Sequence, residues 1–330
     1  MGASTTERVA ESGAIVACYG RAPVVRYVEL ERIPISKIGL GTWQFGSPEW
    51  GYGADYAARE AGRIVNAALD AGVTLFDSAE IYALGRSERI LGAALAGRRA
   101  DAFVATKLFP VLPLASVVRR RAAASARRLR IDRIDLYQVH QPNPIVRDRP
   151  AMRGMRALQD AGLIEHVGVS NYSLARWRAA ETALGRPVLS NQVSYSLVER
   201  DPERELIPYA AERSRLVIAY SPLAQGFLST RYDAAHRPRN LVRRRRRLFR
   251  RESLDRARPL FAALREVACA HDATPAQVAL AWTLRHPSLV AIVGAASVRQ
   301  VEENAEAAGL ELGGDEIDGL SAAAAAFARG

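Results

Sequence analysis

The chain has 330 residues, of which 49% are hydrophobic and 25% charged, a composition typical of a folded globular protein. Two cysteines are too few for a disulfide framework, and no apolar run approaches the ~18 residues of a membrane helix, so we expect a cytoplasmic protein that does not enter a membrane. The formal net charge of +11 would suit nucleic-acid binding, but the densest basic run, 243–247, has no interleaved aromatic residue, so we expect a solvated loop and no nucleic-acid partner.

Residues 1–22 are small and polar and predict a flexible leader ahead of a single domain at 23–330. Two short runs then predict a β-hairpin over 24–30 and 32–36. Eight apolar runs predict strands at 38–43, 73–77, 102–107, 134–140, 164–169, 188–193, 216–220 and 289–293. Helical spacing predicts helices at 57–71, 88–95, 114–129, 152–161, 174–184, 203–214, 257–271, 275–285 and 298–308, with a terminal helix at 315–328.

This alternation predicts an α/β fold, one (β/α)8 TIM barrel with an N-terminal β-hairpin and a C-terminal helix. A long polar excursion at 225–255 interrupts the pattern after the seventh strand and carries the arginine run. A doubly wound nucleotide-binding fold is disfavoured. The first strand has Gly39 and Gly41, but Gln44 stands where the third glycine of the G-x-G-x-x-G motif belongs.

Four side chains suited to acid–base chemistry lie at or just past the ends of three successive predicted strands. Asp77 ends the second strand and Tyr82 follows five residues later; Lys107 ends the third strand and His140 the fourth. Barrel enzymes place catalytic residues at these C-terminal ends. The chain has only two lysines and otherwise uses arginine, whose proton cannot be removed, so a lysine at a strand end indicates pKa tuning. We expect no metal site.

Several stretches make the chain resemble the aldo-keto reductases, a family of NAD(P)H-dependent carbonyl reductases built on such a barrel. The matching stretches are IGLGTW (38–43), ALDAGVTLFDSAEIYALGRSERILGAAL (68–95), VATK (104–107), IDLYQVHQP (134–142), HVGVSNY (166–172), NQVSYS (191–196), AYSPLAQGFLSTRY (219–232) and VGAASVRQVEENAEA (293–307). They span nearly the whole chain. The resemblance is greatest to the branch that includes bacterial reductases and the potassium-channel β-subunits.

The resemblance implies roles for the four strand-end residues. Tyr82 would be the general acid that protonates the carbonyl oxygen as hydride reaches the carbonyl carbon. Lys107 would lower the pKa of that phenol, and Asp77 would hold Lys107 in place. His140 would donate a hydrogen bond that orients the carbonyl. The implied reaction acts on a CH–OH group in one direction and on an aldehyde or ketone in the other.

The resemblance also implies a set of cofactor contacts. Ser170, Asn171 and Gln192 match residues that bind the nicotinamide carboxamide, and Tyr220 matches the aromatic that stacks on its ring. The stretch around the pyrophosphate is Ser221, Pro222, Leu223, Gly226 and Arg231. The adenosine end is Gly294, Ser297, Gln300, Glu303 and Asn304, with the last two near the adenine. Gly41, Thr42, Trp43 and Asp77 complete the set.

One departure from the family pattern concerns the choice between NADPH and NADH. Many NADPH-using relatives have a lysine or arginine directly before the residue equivalent to Ser297, and this chain has Ala296. A second position that is often arginine is Gln300, and Arg299 lies between them. A site with fewer cations binds the 2′-phosphate of NADPH less strongly. We expect NADPH as the cofactor and keep NADH as an alternative.

The substrate pocket implied by the resemblance contains Trp43, Phe45, Trp50, Tyr82, Phe109 and His140. Its aromatics predict an apolar mouth for a small-molecule carbonyl compound, and packing of the barrel rim explains them equally well. Two further functions stay open at this point. The chain could be a nucleotide-binding regulatory subunit like the channel β-subunits, or a barrel enzyme whose Lys107 forms a Schiff base. The oligomeric state is open.

Overall fold

Eight parallel strands close into a barrel in the computed structural model, which describes residues 25–28, 34–47 and 54–329, without the side chains of 54–58, 241 and 242. The predicted leader at 1–22 lies outside these ranges. The strands are β3 (Ile38–Gly41), β4 (Leu75–Asp77), β5 (Phe103–Leu108), β6 (Ile134–Val139), β7 (Ile164–Ser170), β8 (Ser190–Ser194), β9 (Leu216–Tyr220) and β10 (Leu289–Gly294). They neighbour one another in chain order, and β10 pairs with both β9 and β3 to complete the ring. The predicted (β/α)8 barrel is confirmed.

Helices cover the outside of this ring. They are α1 (Ala54–Asp70), α2 (Arg86–Ala94), α3 (Ala115–Leu129), α4 (Arg149–Asp160), α5 (Leu174–Leu184), α6 (Leu206–Glu212), α7 (Leu241–Arg244), α8 (Arg251–Arg256), α9 (Arg258–Ala270), α10 (Pro275–Thr283), α11 (Val298–Glu306) and α12 (Gly314–Arg329). Local signals fix several ends: Thr274 and Gln277 form a capping box at the start of α10, and Gly185 takes a left-handed conformation after α5. None of the described helices is long and apolar enough to cross a membrane.

Alternate residues of the strands pack in two directions. Phe76, Val104 and Tyr137 point outward into the large cluster shared with the helices. The inward residues form a second cluster inside the ring: Ile35, Leu75, Phe103, Ala105, Leu136, Leu189, Leu216, Ile218, Val290 and Ile292. The barrel interior is therefore a packed core, as in other barrels of this type.

The N-terminal hairpin covers the end of the barrel where the strands begin. It consists of β1 (Tyr27–Val28) and β2 (Ile35–Ser36), which pair antiparallel, while 29–33 lie outside the described residues. Ile35 is buried within the interior cluster, and the Tyr27 hydroxyl donates to the Gly72 carbonyl at 2.9 Å. Because this end is filled, the cavity described below opens at the other end, where the strands finish.

The excursion at 225–255 is more ordered than the predicted solvated loop. It contains a 3₁₀ turn at Ala224–Ser229, the helices α7 and α8, and a second 3₁₀ turn at Arg247–Phe249. The reason is burial of apolar residues within it: Phe249 is fully buried and packs edge-on against Phe227 and Tyr232. The helix predicted at 257–271 is confirmed as α9, whereas α8 forms at the end of the predicted excursion and was not expected. The other predicted helices differ from the observed ones mainly at their ends, and the largest shortening is that of α6.

Candidate active site

A buried ion pair stands where β4 and β5 end. The Lys107 ammonium donates a hydrogen bond to the Asp77 carboxylate and another, at 2.9 Å, to the Ser78 carbonyl. Both side chains are almost completely buried. Burial disfavours the ammonium, but the negative charge of Asp77 and the neighbouring Tyr82 raise the pKa of Lys107 above its usual value. Lys107 is therefore a permanent cation at neutral pH.

Tyr82 follows this pair on a tight turn. Its hydroxyl lies 3.4 Å from the Lys107 ammonium, which also sits 5.0 Å from the centre of the ring. Burial raises the pKa of the Tyr82 phenol, and Lys107 opposes that rise. The phenol is therefore protonated at neutral pH and stands beside the one group that would stabilise its conjugate base. The turn requires left-handed backbone at Ala83, Leu84 and Gly85.

His140 forms the third side of the group. Its ring meets the ring of Tyr82 edge-on at 5.8 Å and that of Phe109 at 6.1 Å. Burial, with a further effect of Lys107, lowers the pKa of His140 to about 3, so the imidazole is neutral. Its Nδ1 is buried without a hydrogen-bond partner among the described residues. A neutral imidazole has one N–H, which can be offered to a ligand oxygen.

The second carboxylate oxygen of Asp77 accepts hydrogen bonds from two amides. The Gln192 side chain donates at 2.9 Å and that of Gln138 at 3.4 Å. Gln138, which was not predicted from the sequence, lies fully buried within β6. Its sequence signal was an amide in a strand whose other strongly polar residue is Asp135. These bonds give the second oxygen of the buried carboxylate two hydrogen-bond partners.

One cavity of about 790 Å³ connects this group to most of the predicted cofactor residues. Its lining includes Tyr82 and His140, Trp43 and Phe109 of the predicted substrate pocket, and all predicted cofactor residues but one: Gly41, Thr42, Trp43, Asp77, Ser170, Asn171, Gln192, Tyr220, Ser221, Pro222, Leu223, Gly226, Arg231, Gly294, Gln300, Glu303 and Asn304. The volume lies within the ~300–1,000 Å³ common for ligand sites. Lys107 does not line the cavity itself but lies beneath the lining residue Tyr82.

Besides Lys107, two predicted site residues of the described chain do not line the cavity. Phe45 is buried in the main core, because the turn after β3 directs it inward, away from the mouth. Ser297 instead caps α11 by accepting a hydrogen bond from the Gln300 amide at 3.3 Å. The prediction for Trp50 falls outside the described residues.

The polar residues expected near a nicotinamide bond to one another. The Ser170 hydroxyl donates to the Gln192 carbonyl at 2.8 Å, and the Tyr220 hydroxyl donates to the Asn171 side-chain oxygen at 3.0 Å. Asn171 also donates to the His140 carbonyl at 3.3 Å and has a left-handed backbone. These bonds hold the cluster in place next to Tyr82, Lys107 and His140.

The far end of the cavity has no cation from the last barrel helix. The Gln300 side chain accepts a hydrogen bond from the Ala296 amide at 2.8 Å. Arg299 is 77% exposed, pairs with Glu303 at 3.6 Å and does not line the cavity. Arg299 therefore does not supply the cation that Ala296 and Gln300 lack in this arrangement.

Besides the predicted Gly226 and Arg231, the excursion contributes further lining residues to the cavity, among them Gln225, Arg243 and Arg246. Both polar side-chain atoms of Gln225 are buried without hydrogen-bond partners among the described residues. Arg243 donates from Nε to the Gln225 carbonyl at 2.9 Å, and Arg246 lines the same space. Buried polar atoms without partners are costly, so this part of the cavity fits a polar ligand such as a dinucleotide.

Comparisons with known proteins agree on one family. A sequence model described as the Aldo/keto reductase family matches residues 37–325. An uncharacterized oxidoreductase of Mycobacterium tuberculosis is 55% identical over 304 residues, 92% of this chain and 94% of that protein. Methylglyoxal reductase of Escherichia coli is 32% identical over 286 residues, 86% of this chain and 89% of that protein.

A solved structure gives the same result. An aldo/keto reductase from Klebsiella pneumoniae, in complex with NADP and acetate, matches with a TM-score of 0.72 at 31% identity, covering 90% of this chain and 94% of that one. The chain belongs to the aldo/keto reductase family.

Proposed function

We propose that the protein reduces an aldehyde or ketone to an alcohol with NADPH. The observation that carries this proposal is the placement of a protonated phenol, Tyr82, between a buried lysine, Lys107, and a neutral imidazole, His140. Tyr82 and His140 line a cavity that fits a dinucleotide, and Lys107 lies beneath it. NADP in the Klebsiella relative supports the choice of cofactor, while Ala296 and Gln300 make the preference over NADH a quantity to be measured.

When bound, the cofactor supplies a hydride, that is, a proton with two electrons, to the carbonyl carbon. The residues of this chain handle the oxygen. The N–H of neutral His140 holds the carbonyl oxygen, and Tyr82 delivers its hydroxyl proton there as the C–O double bond becomes single. The phenolate left behind is stabilised by the Lys107 ammonium at 3.4 Å. Solvent restores the proton to Tyr82, and NADPH leaves as NADP⁺.

Ser170, Asn171 and Gln192 are the residues we assign to the nicotinamide amide, with Tyr220 against the ring. The unpaired Gln225 side chain and Arg231 are assigned to the polar middle of the cofactor, and residues 294–304 to its adenosine end. Holding the carbonyl and the hydride donor in one cavity supplies the orientation that catalysis requires.

The test compares wild type with Tyr82→Phe. Cofactor binding is followed by fluorescence quenching with NADPH and NADH, and turnover by NADPH oxidation with 4-nitrobenzaldehyde. We expect similar NADPH binding and a loss of kcat of about 10²–10⁴-fold, the usual contribution of a general acid. Tyr27→Phe, which removes a phenol hydroxyl at the opposite end of the barrel, is the matched control.

Deuterium at C4 of NADPH should appear on the carbinol carbon of the product. A protein that binds NADPH but turns over no member of a broad carbonyl panel would contradict the proposal and favour the regulatory-subunit function. Borohydride trapping of a covalent adduct on Lys107 with a keto compound would favour the Schiff-base enzyme.

A further inference from the structure

The lining of the cavity has more positive charge than its own carboxylates balance. Three arginines line it, and all three come from the excursion after β9: Arg231, Arg243 and Arg246. The lining carboxylates of the described chain are Asp77, which Lys107 neutralises, and Glu303, which pairs with Arg299. The lining of the described chain therefore has a net positive charge, and the question is which anion each arginine meets.

Arg243 is held along the middle of the cavity. Its guanidinium donates to the Gln225 carbonyl at 2.9 Å and lies 3.4 Å from the Tyr232 hydroxyl. Arg231 directly precedes Tyr232. Both arginines thus belong to the segment that we assign to the polar middle of the cofactor.

Arg246 occupies a different place. Its backbone is fixed, because its amide donates to the Arg243 carbonyl at 3.0 Å and its carbonyl accepts from the amide of buried Phe249 at 3.1 Å. Its side chain is exposed and makes no ion pair or side-chain hydrogen bond within the ranges that the structure describes. Its side chain is an exposed cation at the edge of the cavity, carried on a backbone that these hydrogen bonds hold.

Arg246 shares the cavity lining with Tyr220, the aromatic residue assigned to the nicotinamide. Burial raises the pKa of the Tyr220 phenol, Glu199 raises it further, and Arg246 lowers it. Tyr220 in turn interacts with Tyr82, whose pKa it raises. Arg246 therefore acts on the aromatic ring assigned to the nicotinamide, which the reacting carbonyl must approach.

The wall of the cavity at that end is apolar. Trp43 and Ile81 are exposed large hydrophobic residues there, and Phe109 adjoins His140. A substrate that matches the site would place its carbonyl group next to Tyr82, its apolar body against this wall and a negative group at the rim. An arginine can hold a carboxylate through two parallel hydrogen bonds.

We propose that Arg246 binds an anionic group of the substrate, so that the preferred substrates are aldehydes and ketones that carry a carboxylate. This inference rests on the proposed reductase function and names its substrate class. Arg246 is a residue that sets specificity by charge.

The test uses two aldehydes of nearly the same shape. 4-Carboxybenzaldehyde carries a carboxylate, whereas 4-nitrobenzaldehyde carries a planar neutral nitro group in its place. The quantity measured is the ratio of their kcat/KM values, which cancels effects common to both substrates. The variants are Arg246→Gln, Arg246→Lys and Arg246→Glu. Arg245→Gln is the matched control, because Arg245 is exposed in the same run and does not line the cavity.

We expect the ratio to fall about fivefold in Arg246→Gln, the upper range for a partly solvated ion pair. The change should lie mainly in KM, since the contact holds ground state and transition state alike. Arg246→Lys should keep part of the preference and Arg246→Glu should reduce the ratio further. Arg245→Gln should leave it as in wild type. Added salt should weaken the wild-type preference through screening.

Other results would overturn the inference. An unchanged ratio in Arg246→Gln, or an equal fall in Arg245→Gln, would show that Arg246 does not contact the substrate anion. A weaker NADPH affinity with equal losses for both aldehydes would assign Arg246 to the cofactor instead. If wild type reduces neither aldehyde nor any other carbonyl compound, the proposed reductase function itself fails, which is a different result from a reductase without charge preference.

Discussion

The two lysines of the chain lie at opposite ends of the barrel, and both are buried. Lys107, where the strands end, faces the Asp77 carboxylate, and its pKa is raised. Lys37, where the strands begin, donates to the carbonyls of His286 at 2.6 Å and Leu284 at 3.4 Å. Burial and then Arg26 lower the pKa of Lys37 to about 8. The comparison indicates that a carboxylate partner can outweigh burial and raise the pKa of a lysine, whereas carbonyl partners leave the lowering by burial in place.

The largest expected effect comes from removing each lysine in turn. Lys107→Met leaves the Asp77 carboxylate buried without its cation, which typically costs about 3–5 kcal/mol of the free energy of unfolding. It should also reduce kcat by about 10³-fold, because Tyr82 loses the charge that stabilises its phenolate. Lys37→Met should retain turnover and lose less stability, since only dipoles lose their partner. Urea unfolding and NADPH oxidation measure the two quantities. Equal losses in both variants would contradict the comparison.

A smaller effect should separate the two lysines by pH. The pKa of Lys37 is about 8 in the folded protein and about 10.4 in an unfolded chain. Between these values the unfolded state binds more protons, so the stability of wild type should rise with pH relative to Lys37→Met, by about 1 kcal/mol after solvent screening is allowed for. Lys107 has the opposite shift and contributes stability that is fully present below the unfolded pKa and is lost as the pH rises from there through the raised pKa. Urea unfolding at pH 7.5, 9 and 10 measures the difference. A constant difference would show that Lys37 is solvated.

The smallest effect concerns the histidine next to Lys37. Burial, followed by Arg285, lowers the pKa of His286 to about 4, against about 6.5 for an unfolded chain. Between pH 6.5 and 4 the unfolded state binds more protons, so stability should fall as the solution is acidified. His286→Gln should make this decline shallower, by less than about 1 kcal/mol at pH 5. His140 gives a decline of the same sign and stays in both proteins as an internal reference. A decline of equal steepness in both would place the protonation elsewhere.

The catalytic end was largely predictable from the sequence. Strand ends in a parallel barrel share one edge, so Asp77, Lys107 and His140 had to come together once the strands were recognised. The apolar runs of β4, β5 and β6 predicted where those strands end to within one residue. Tyr82 was also picked out just past the second strand, but its role as an acid came from the family resemblance. Its exact placement could not be predicted, because it depends on a turn whose left-handed residues, Ala83 and Leu84, have no sequence signal of the usual glycine kind.

The rest depended on tertiary packing. Arg245 and Arg246 are equivalent in sequence, but only Arg246 lines the cavity, on a backbone held by a hydrogen bond from buried Phe249. Phe45 was assigned to the pocket by its place after β3, but a turn buries it. Gln138 shares β6 with Asp135, and only the strand register brings its amide to Asp77. The spacing of apolar residues predicts which face of a helix or strand is buried. These three outcomes depend instead on which neighbouring part of the chain packs against that face.

The turn after Tyr82 has a consequence for how the protein could evolve. Ala83 and Leu84 hold left-handed backbone, at roughly 1 kcal/mol each for residues with a β-carbon. Leu84 is also 86% exposed and gains little from packing. The phenol therefore stands on a segment that lowers the stability of the whole chain. Selection for heat resistance and selection for turnover would conflict first at this turn, where variants that relax the backbone would release the hydroxyl from the lysine beneath it.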